Sequence, residues 1–405
     1  MRIFRFKLQM HYQIILGILL GIGFGFFFSE YVSYVDWLGE LFLRALKMIV
    51  VPLVFCSVIS GVANISAQDN FLRLGGKTLG FYLLTCMLAI FTGLFFVNII
   101  KPGADVSIEL PTVQSQLITA LSKRDLLLNL VPDNIFQAFS SMNMIGIIIF
   151  AILFGIFLGK SEHSGAKSTK NAIEGINEVI LKLTSAILAL APLGVFGIIA
   201  AVVAKDASNG EALSGLLKSQ GIYLGTVFAG IGFHTFITLS VLLIVLGKIN
   251  PLKHLANMKN VMLFAFSTAS SNATLPLTLK EMECKSKVPS KIANFTLPLG
   301  ATVNMNGTSL YECVAVIYLT QIYGLDLSFA QQLTIVFASL MVGIGSAGIP
   351  MASLVMTVVI IQMVGLPPES IGLIMLVDRF ADMARTMLNV YGDTICTLLV
   401  AKNEV

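Results

Sequence analysis

Charge is scarce in this sequence. Only 12% of its 405 residues are Asp, Glu, Lys or Arg, about half the ~25% usual for a soluble protein. Hydrophobic residues make up 56% and mean hydropathy is +0.87. A chain this poor in charge cannot cover a water-facing surface, so it reads as an integral membrane protein. The net charge of +4 is small, and the basic residues sit at the ends of apolar runs, so nothing points to a nucleic-acid partner. Cysteine is scarce too. Cys56, Cys86, Cys284, Cys313 and Cys396 lie far apart, with no CxxC pair and no metal-ligand spacing; they read as small buried hydrophobes. The four histidines form no HExxH. The first apolar run, 13–28, is not followed by a small-residue cleavage site, so it reads as a span and not as a signal peptide. There is no long extracellular insertion, and the Asn-x-Ser/Thr sequons at Asn64, Asn272, Asn294 and Asn306 fall in apparent membrane segments. A prokaryotic cytoplasmic membrane fits best.

What is present is a series of apolar segments of about 20 residues or more, the length a bilayer requires. Spans are predicted at 12–34, 36–65, 78–101, 136–159, 172–204 and 216–247. After 247 the pattern changes. Segments 251–286 and 328–364 are apolar but broken in the middle, by "STASSNATLP" (267–276) and "VGIGSAGIPMAS" (342–353). Each reads as half-helix, polar tip, half-helix: a re-entrant hairpin. Between them runs 289–322, interrupted at 298–307 by a proline, two glycines and "NMN". A last helix covers 368–402. The fold class is therefore all-α and polytopic, with eight transmembrane helices and two re-entrant hairpins. The positive-inside rule gathers Arg2, Arg5, Lys7, Arg73, Lys77, Lys160, Lys167, Lys170, Lys248, Lys253, Lys259, Lys280, Lys285, Lys287, Lys291 and Lys402 on one side. The N-terminus is then cytoplasmic, and the two hairpins enter from opposite faces, as in an inverted repeat. Irregular backbone at membrane depth survives only where it lines a cavity or is buried in protein, and paired broken segments mark solute and ion sites in transporters.

The last helix carries Asp378, Asp382, Arg385, Asn389 and Asp393, spaced 4, 3, 4 and 4, so all five share one face. A charge at mid-span costs at least ~2.5 kcal/mol, so the stripe needs partners. Such spacing also suits a helix-stabilising ladder, for instance Asp382–Arg385, but ladders belong on solvated faces. A cavity for a charged solute is the better reading. Arg385 can hold a carboxylate through two parallel hydrogen bonds, Asp382 suits an ammonium group, and Asn389 can donate to a second carboxylate. An acidic amino acid has those groups. Asp393, with Asn304 and carbonyls near Gly300, offers hard oxygen ligands to a small cation. The hairpin tips, Ser270, Ser271 and Asn272 in the first and Ile344 to Pro350 in the second, add backbone donors and acceptors with small side chains. Glycines at 343, 345 and 348 permit close approach and gate-like motion.

Four motifs in order, "SSNATLP", "NMNGTSLYE", "GSAGIP" and "DMARTMLNVYGD", together with the span pattern, resemble the dicarboxylate/amino acid:cation symporter family, which includes the glutamate and aspartate transporters. The resemblance covers essentially the whole chain. It implies a homotrimer of elevator-type protomers. The scaffold would comprise 1–70 and 103–210, and the mobile transport domain 71–102 and 211–405. It places the substrate amine on Asp382, the side-chain carboxylate on Arg385 and Thr308, and the α-carboxylate on Asn389 and the Ser270–Ser271 tip. Thr386, Ile349 and Ser353 would line the pocket. Neutral amino acid carriers of the family lack the arginine and dicarboxylate carriers lack the aspartate, so having both favours aspartate or glutamate.

For the coupling ions, the resemblance implies one sodium at Gly300, Asn304, Asn389 and Asp393, and a second on backbone carbonyls of Thr302, Gly343, Ile344 and Ser346. No covalent cofactor is implied. A third site is expected to use a tyrosine, threonine and serine on the third helix with an asparagine and an aspartate on the seventh. Tyr82, Thr85 and Asn304 match, but Cys86 stands for the serine and Asn306 for the aspartate. A buried cation needs hard oxygens and compensating charge, so this site is expected to be lost, unless the Asn306 amide oxygen suffices. Glu312, one turn after Thr308 among apolar residues, is either the carrier of a co-transported proton, as the resemblance implies for a glutamate there, or a permanently protonated hydrogen-bond donor. Other carriers of the same fold, for dicarboxylates or neutral amino acids, are the alternatives, with a channel behind them. An intramembrane protease is remote, because Asp378 and Asp382 share one helix and no Ser–His pair is placed.

Overall fold

The computed structural model describes residues 10–66, 74–104, 131–141, 144–205, 210–344 and 352–404. Every regular element among them is helical. The first half comprises α1 Met10–Phe27, α2 Asp36–Ser66, α3 Gly76–Ile100, the short α4 Ile135–Ser140, α5 Met144–Lys160, α6 Ser164–Leu188 and α7 Ala191–Lys205. α8 (Gly210–Phe233) runs on through two π-turns, His234–Thr238 and Leu243–Gly247. Then come α9 Pro251–Thr268, α10 Ser271–Cys284, α11 Ser290–Val303, α12 Asn306–Ile322, α13 Phe329–Ile344, α14 Ala352–Met363 and α15 Gly372–Glu404. The basic residues at 2–7, Arg73, Ser346 and Ile349 lie outside the described residues.

Local chemistry explains the breaks. The predicted span 172–204 is two helices bent by 49°, because Pro192 cannot donate to the ladder and starts a new helix near its first turn. Asn250 accepts from the Leu252 and Lys253 amides at 2.9 and 3.2 Å, capping α9 just ahead of Pro251. α9 ends at Ala269 in the left-handed region, φ 50°. Ser270 then caps α10, its Oγ accepting from the Ala273 amide at 3.3 Å. α9 and α10 pack on each other across this two-residue turn, the geometry expected of the first hairpin. α13 and α14 also pack together. The interruption expected at 298–307 narrows to Asn304 and Met305: Pro298 and Gly300 stay helical, and the chain opens where the Asn304 side chain reaches Asp393 and Asn389 caps the next helix.

Among the described residues, three stretches are long and apolar enough to cross a bilayer alone, Asp36–Ala63, Gly76–Ile100 and Lys218–Gly247, and the bent α6–α7 pair makes a fourth. This is fewer uninterrupted spans than the eight expected. α11 and α12 are each too short because of their break, and α15, 33 residues long, has its hydropathy lowered by the buried polar stripe. Large apolar side chains such as Leu19, Phe95, Phe157, Val245 and Leu263 face outward, as a lipid environment demands. The chain is a multi-pass membrane protein.

The helices pack in two sets. α1 lies along α7, and α2 lies against α5, α6 and α7. α3, α8 and α9–α15 pack among themselves, with α15 touching α3, α8, α9, α10, α11 and α12. Fewer contacts join the sets, α2 with α14 and α11, α5 with α13, and α7 with α15. Small residues permit the closest approaches. A β-carbon on Gly307 would overlap the Arg385 carbonyl oxygen and come within 2.7 Å of its Cα, so α12 lies directly on the backbone of α15.

Gly307→Ala should therefore separate α12 from α15 and destabilise the protein by about 1–3 kcal/mol, seen as a lower melting temperature in detergent. Gly61→Ala, with nothing within 4 Å of the added carbon, should leave melting unchanged. Equal melting of both variants would contradict this packing.

Candidate functional site

Every member of the polar stripe on α15 is buried: Asp378, Asp382, Arg385, Asn389 and Asp393 are at most 4% exposed. They face the break between α11 and α12 and sort into three adjoining groups.

The first group centres on Arg385. Its Nη1 donates to Asp378 Oδ1 at 2.9 Å and its Nε to Asp382 Oδ1 at 3.1 Å. Nη2 lies 2.9 Å from the same Asp382 oxygen, but outside hydrogen-bond geometry. Arg379 Nη1 donates to Asp382 Oδ2 at 3.3 Å. Tyr311 of α12 lies under the guanidinium, 4.3 Å from Cζ to ring centroid, and its hydroxyl donates to Asp378 Oδ1 at 2.7 Å. The ladder set aside on the ground that ladders are solvated is thus present, in the interior. The correction is physical: with no water, opposite charges three and seven residues apart on one face pair with each other, because an unpaired charge costs more than two neutralised ones. Neutralisation is incomplete in hydrogen bonds. Asp378 Oδ2 has no partner among the described residues, in a class of protein atom that is satisfied about nine times in ten.

The second group joins α15 to the start of α12. Asn389 Oδ1 accepts from the Gly307 amide at 2.7 Å and the Thr308 amide at 3.3 Å. Its Nδ2 lies 3.0 Å from Thr308 Oγ1 and 3.3 Å from Met305 Sδ. Asn389 thus caps α12 from a neighbouring helix, supplying the acceptor that Met305 at the N-cap position cannot. Thr386 is buried one helical turn away.

The third group lies deeper along α15. Asn304 Nδ2 donates to Asp393 Oδ1 at 2.8 Å, and Thr85 Oγ1 lies 3.1 Å from Asn304 Oδ1. A β-carbon on Gly300 would sit 2.5 Å from Asp393 Oδ1 and 2.9 Å from the Tyr82 hydroxyl, which itself donates to the Thr296 carbonyl at 2.6 Å. The Cys86 thiol donates to Asn306 Oδ1 at 3.0 Å. Asn306 Nδ2, buried, finds no acceptor among the described residues and points at Gly392, where a β-carbon would overlap it. Gly300, Asn304, Asp393, Tyr82, Thr85, Cys86 and Asn306 are therefore one cluster.

Other predicted residues are less joined. Ser271 is buried in the first turn of α10, which packs against α15. Ser353 is buried near the start of α14, its hydroxyl unpartnered among the described residues. Thr302 Oγ1 bonds back to the Leu299 carbonyl at 3.0 Å. Gly343 and Ile344 end α13. Glu312 is 0% exposed, and neither carboxyl oxygen has a hydrogen-bond partner among the described residues.

Sequence reasoning did not assign Tyr311, although it lies in the "NMNGTSLYE" motif one turn from Thr308, the signal that would have found it. It also left Asp378 as one polar residue among five, whereas the structure pairs it with Arg385 alongside Asp382.

Comparison with known proteins shows the family of the chain. The profile described as "Sodium:dicarboxylate symporter family" matches residues 10–403. The chain is 34% identical over 409 residues to the proton/sodium-glutamate symport protein of Bacillus caldotenax, covering 98% of this chain and 95% of the relative. Against the protein of the same name from Bacillus subtilis it is 32% identical over 413 residues, 99% and 94% of the two chains. Against excitatory amino acid transporter 3 of Mus musculus it is 30% identical over 445 residues, 96% and 83%.

Arg385→Ala should leave Asp378 buried without its counter-charge and Asp382 with Arg379 alone, and cost about 3–5 kcal/mol of stability. Tyr311→Phe, which keeps the ring and loses one hydrogen bond, should cost about 1 kcal/mol. Thermal unfolding in detergent checks both; an Arg385→Ala protein as stable as the parent would show that the triad holds nothing.

Proposed function

Because the chain belongs to the sodium:dicarboxylate symporter family and is a transporter, not an enzyme, we propose that it is a secondary active symporter taking up acidic amino acids, aspartate or glutamate, with cations. The observation that carries this is the buried Asp378–Arg385–Asp382 triad. A carboxylate entering beside Arg385 replaces an internal carboxylate with an external one, so the arginine is never left unpaired. The Asp382 carboxylate released in that exchange receives the substrate ammonium. Charge is conserved at each step, which keeps the exchange within reach in a medium where an isolated ion is prohibitive. Thr308 and Arg385 would hold the side-chain carboxylate. Asn389 and the Ser270–Ser271 tip would hold the α-carboxylate, with Thr386, Ile349 and Ser353 around them. Having both Asp382 and Arg385 favours this over a dicarboxylate or a neutral amino acid.

The two packing sets support a scaffold of the first, second, fourth and fifth spans and a mobile domain of the rest, moving as an elevator in a homotrimer. The membrane is the cytoplasmic one, with the N-terminus inside. Sodium at Gly300, Asn304, Asn389 and Asp393 would use the Asp393 carboxylate, and a second sodium the carbonyls of Thr302, Gly343, Ile344 and Ser346. The third sodium position of the family is lost here. Asn306 brings no charge, its oxygen is taken by the Cys86 thiol, and its amide protons occupy space where a cation needs oxygen. Glu312, buried and without a hydrogen-bond partner among the described residues, is the group for a co-transported proton.

The test is uptake of labelled L-aspartate into proteoliposomes. Uptake is expected with an inward sodium gradient and should vanish in Arg385→Cys; unchanged aspartate affinity in that variant would sink the assignment of the arginine. Cys86→Ser with Asn306→Asp should steepen the sodium dependence, raising the Hill coefficient by about one for one added ion. An unchanged coefficient would mean that the third position is not what these two residues closed.

A further inference from the structure

Ser309 follows Thr308 on α12. It is 1% exposed, and its hydroxyl has no hydrogen-bond partner among the described residues. A buried helical hydroxyl usually bonds back to the carbonyl four residues earlier, as those of Thr274, Thr278, Thr296 and Thr357 do here. Ser309 instead turns its oxygen toward the last turn of α13. A β-carbon built on Gly343 would overlap Ser309 Oγ, with Met305 Cβ the next residue's atom at 3.9 Å. The hydroxyl thus stands where a side chain of residue 343 would begin, beside bare backbone.

The last four carbonyls of a helix have no partner within it, and that end carries the negative pole of the helix dipole. A buried hydroxyl oxygen beside the Gly343 backbone, in the last described turn of α13, adds one more hard oxygen to a set that suits a small cation. Ser309 makes no hydrogen bond that a cation would have to break, and it faces residue 343 from a different helix. The described atoms nearest this spot belong to Ser309 and Met305 and not to a carboxylate, so the set suits a monovalent ion, because a buried divalent charge would lack compensation.

We propose that Ser309 is a cation ligand and specificity-determining residue: its hydroxyl supplies the side-chain oxygen that position 343 lacks, to a small alkali cation held against the C-terminal carbonyls of α13. The inference rests on Gly343 and Ile344 being sodium ligands. The ion then bridges α12 and α13. Ser309 senses the ion and not the substrate.

The experiment is a sodium titration of melting temperature for the purified full-length protein in detergent, without substrate, at constant ionic strength with choline. The parent protein is expected to melt higher as sodium rises. Ser309→Ala should raise the sodium midpoint about tenfold, the loss of one ligand bond, while melting in choline stays as in the parent, since an unpartnered hydroxyl holds nothing. Gly343→Ser alone should lose the sodium response through overlap. Ser309→Ala with Gly343→Ser, which moves the hydroxyl from one wall to the other, should return the midpoint to within about threefold of the parent. A Ser309→Ala protein with the parent midpoint overturns the inference and leaves sodium coupling standing, as does a double variant that melts normally in choline but keeps the single variant's midpoint. A parent protein without any sodium-dependent shift overturns both.

Discussion

The arrangement of α15 rests on one constraint: three carboxylates and an arginine lie on one helix face in a medium that does not solvate charge. Asp378 and Asp382 meet it by closing on Arg385, and Tyr311 completes the enclosure with its ring face and its hydroxyl. The packing follows. α12 must lie on the backbone of α15 to bring Tyr311 to the guanidinium, which is why Gly307 has no room for a side chain. The chain must open at Asn304 and Met305 so that Asn389 can cap α12 and Asn304 can reach Asp393. Lipid-facing helices supply length and apolar surface, but the polar interior of this helix pair decides where the breaks fall.

A neutralised interior of this kind can still exchange partners. Arg385 keeps a donor outside hydrogen-bond geometry and Asp378 keeps an unpartnered oxygen, so the triad holds its charges without using all its bonding capacity. A ligand with matched charges can be admitted by substitution, one carboxylate for another, without exposing a bare ion to hydrocarbon. A neutral solute offers no such exchange. In the function we propose, selectivity for charge and stability of the empty fold come from the same residues.

Much of this was legible in the sequence because membrane insertion leaves few readings for a polar residue. The 4, 3, 4, 4 spacing on α15, the first broken hairpin and the "NMN" interruption all carry a depth signal; α15 carries the stripe on a buried face, α9 and α10 form the first hairpin, and the chain opens at Asn304 and Met305, while the tip of the second hairpin lies outside the described residues. Pairing was not legible. Spacing puts Asp382 and Arg385 on one face but does not say whether they face a solute or each other, and here burial decides for pairing. The bend between α6 and α7 was missed because the apolar run continues through it; only Pro192 marks it. Ser309 was not legible because its meaning depends on Gly343, 34 residues away, and no periodicity links a hydroxyl on one helix to a missing side chain on another.

Between α3 and α12 the Cys86 thiol donates to the Asn306 amide oxygen at 3.0 Å, and the proposed loss of a third cation position rests on this pairing of two uncharged groups. The direct test is the transport stoichiometry, from the reversal potential of aspartate flux in proteoliposomes as the sodium gradient is varied at fixed pH. No more than two sodium ions per aspartate are predicted. Three would contradict the account, since the Asn306 amide and the Cys86 thiol would then have to hold a cation despite bonding to each other.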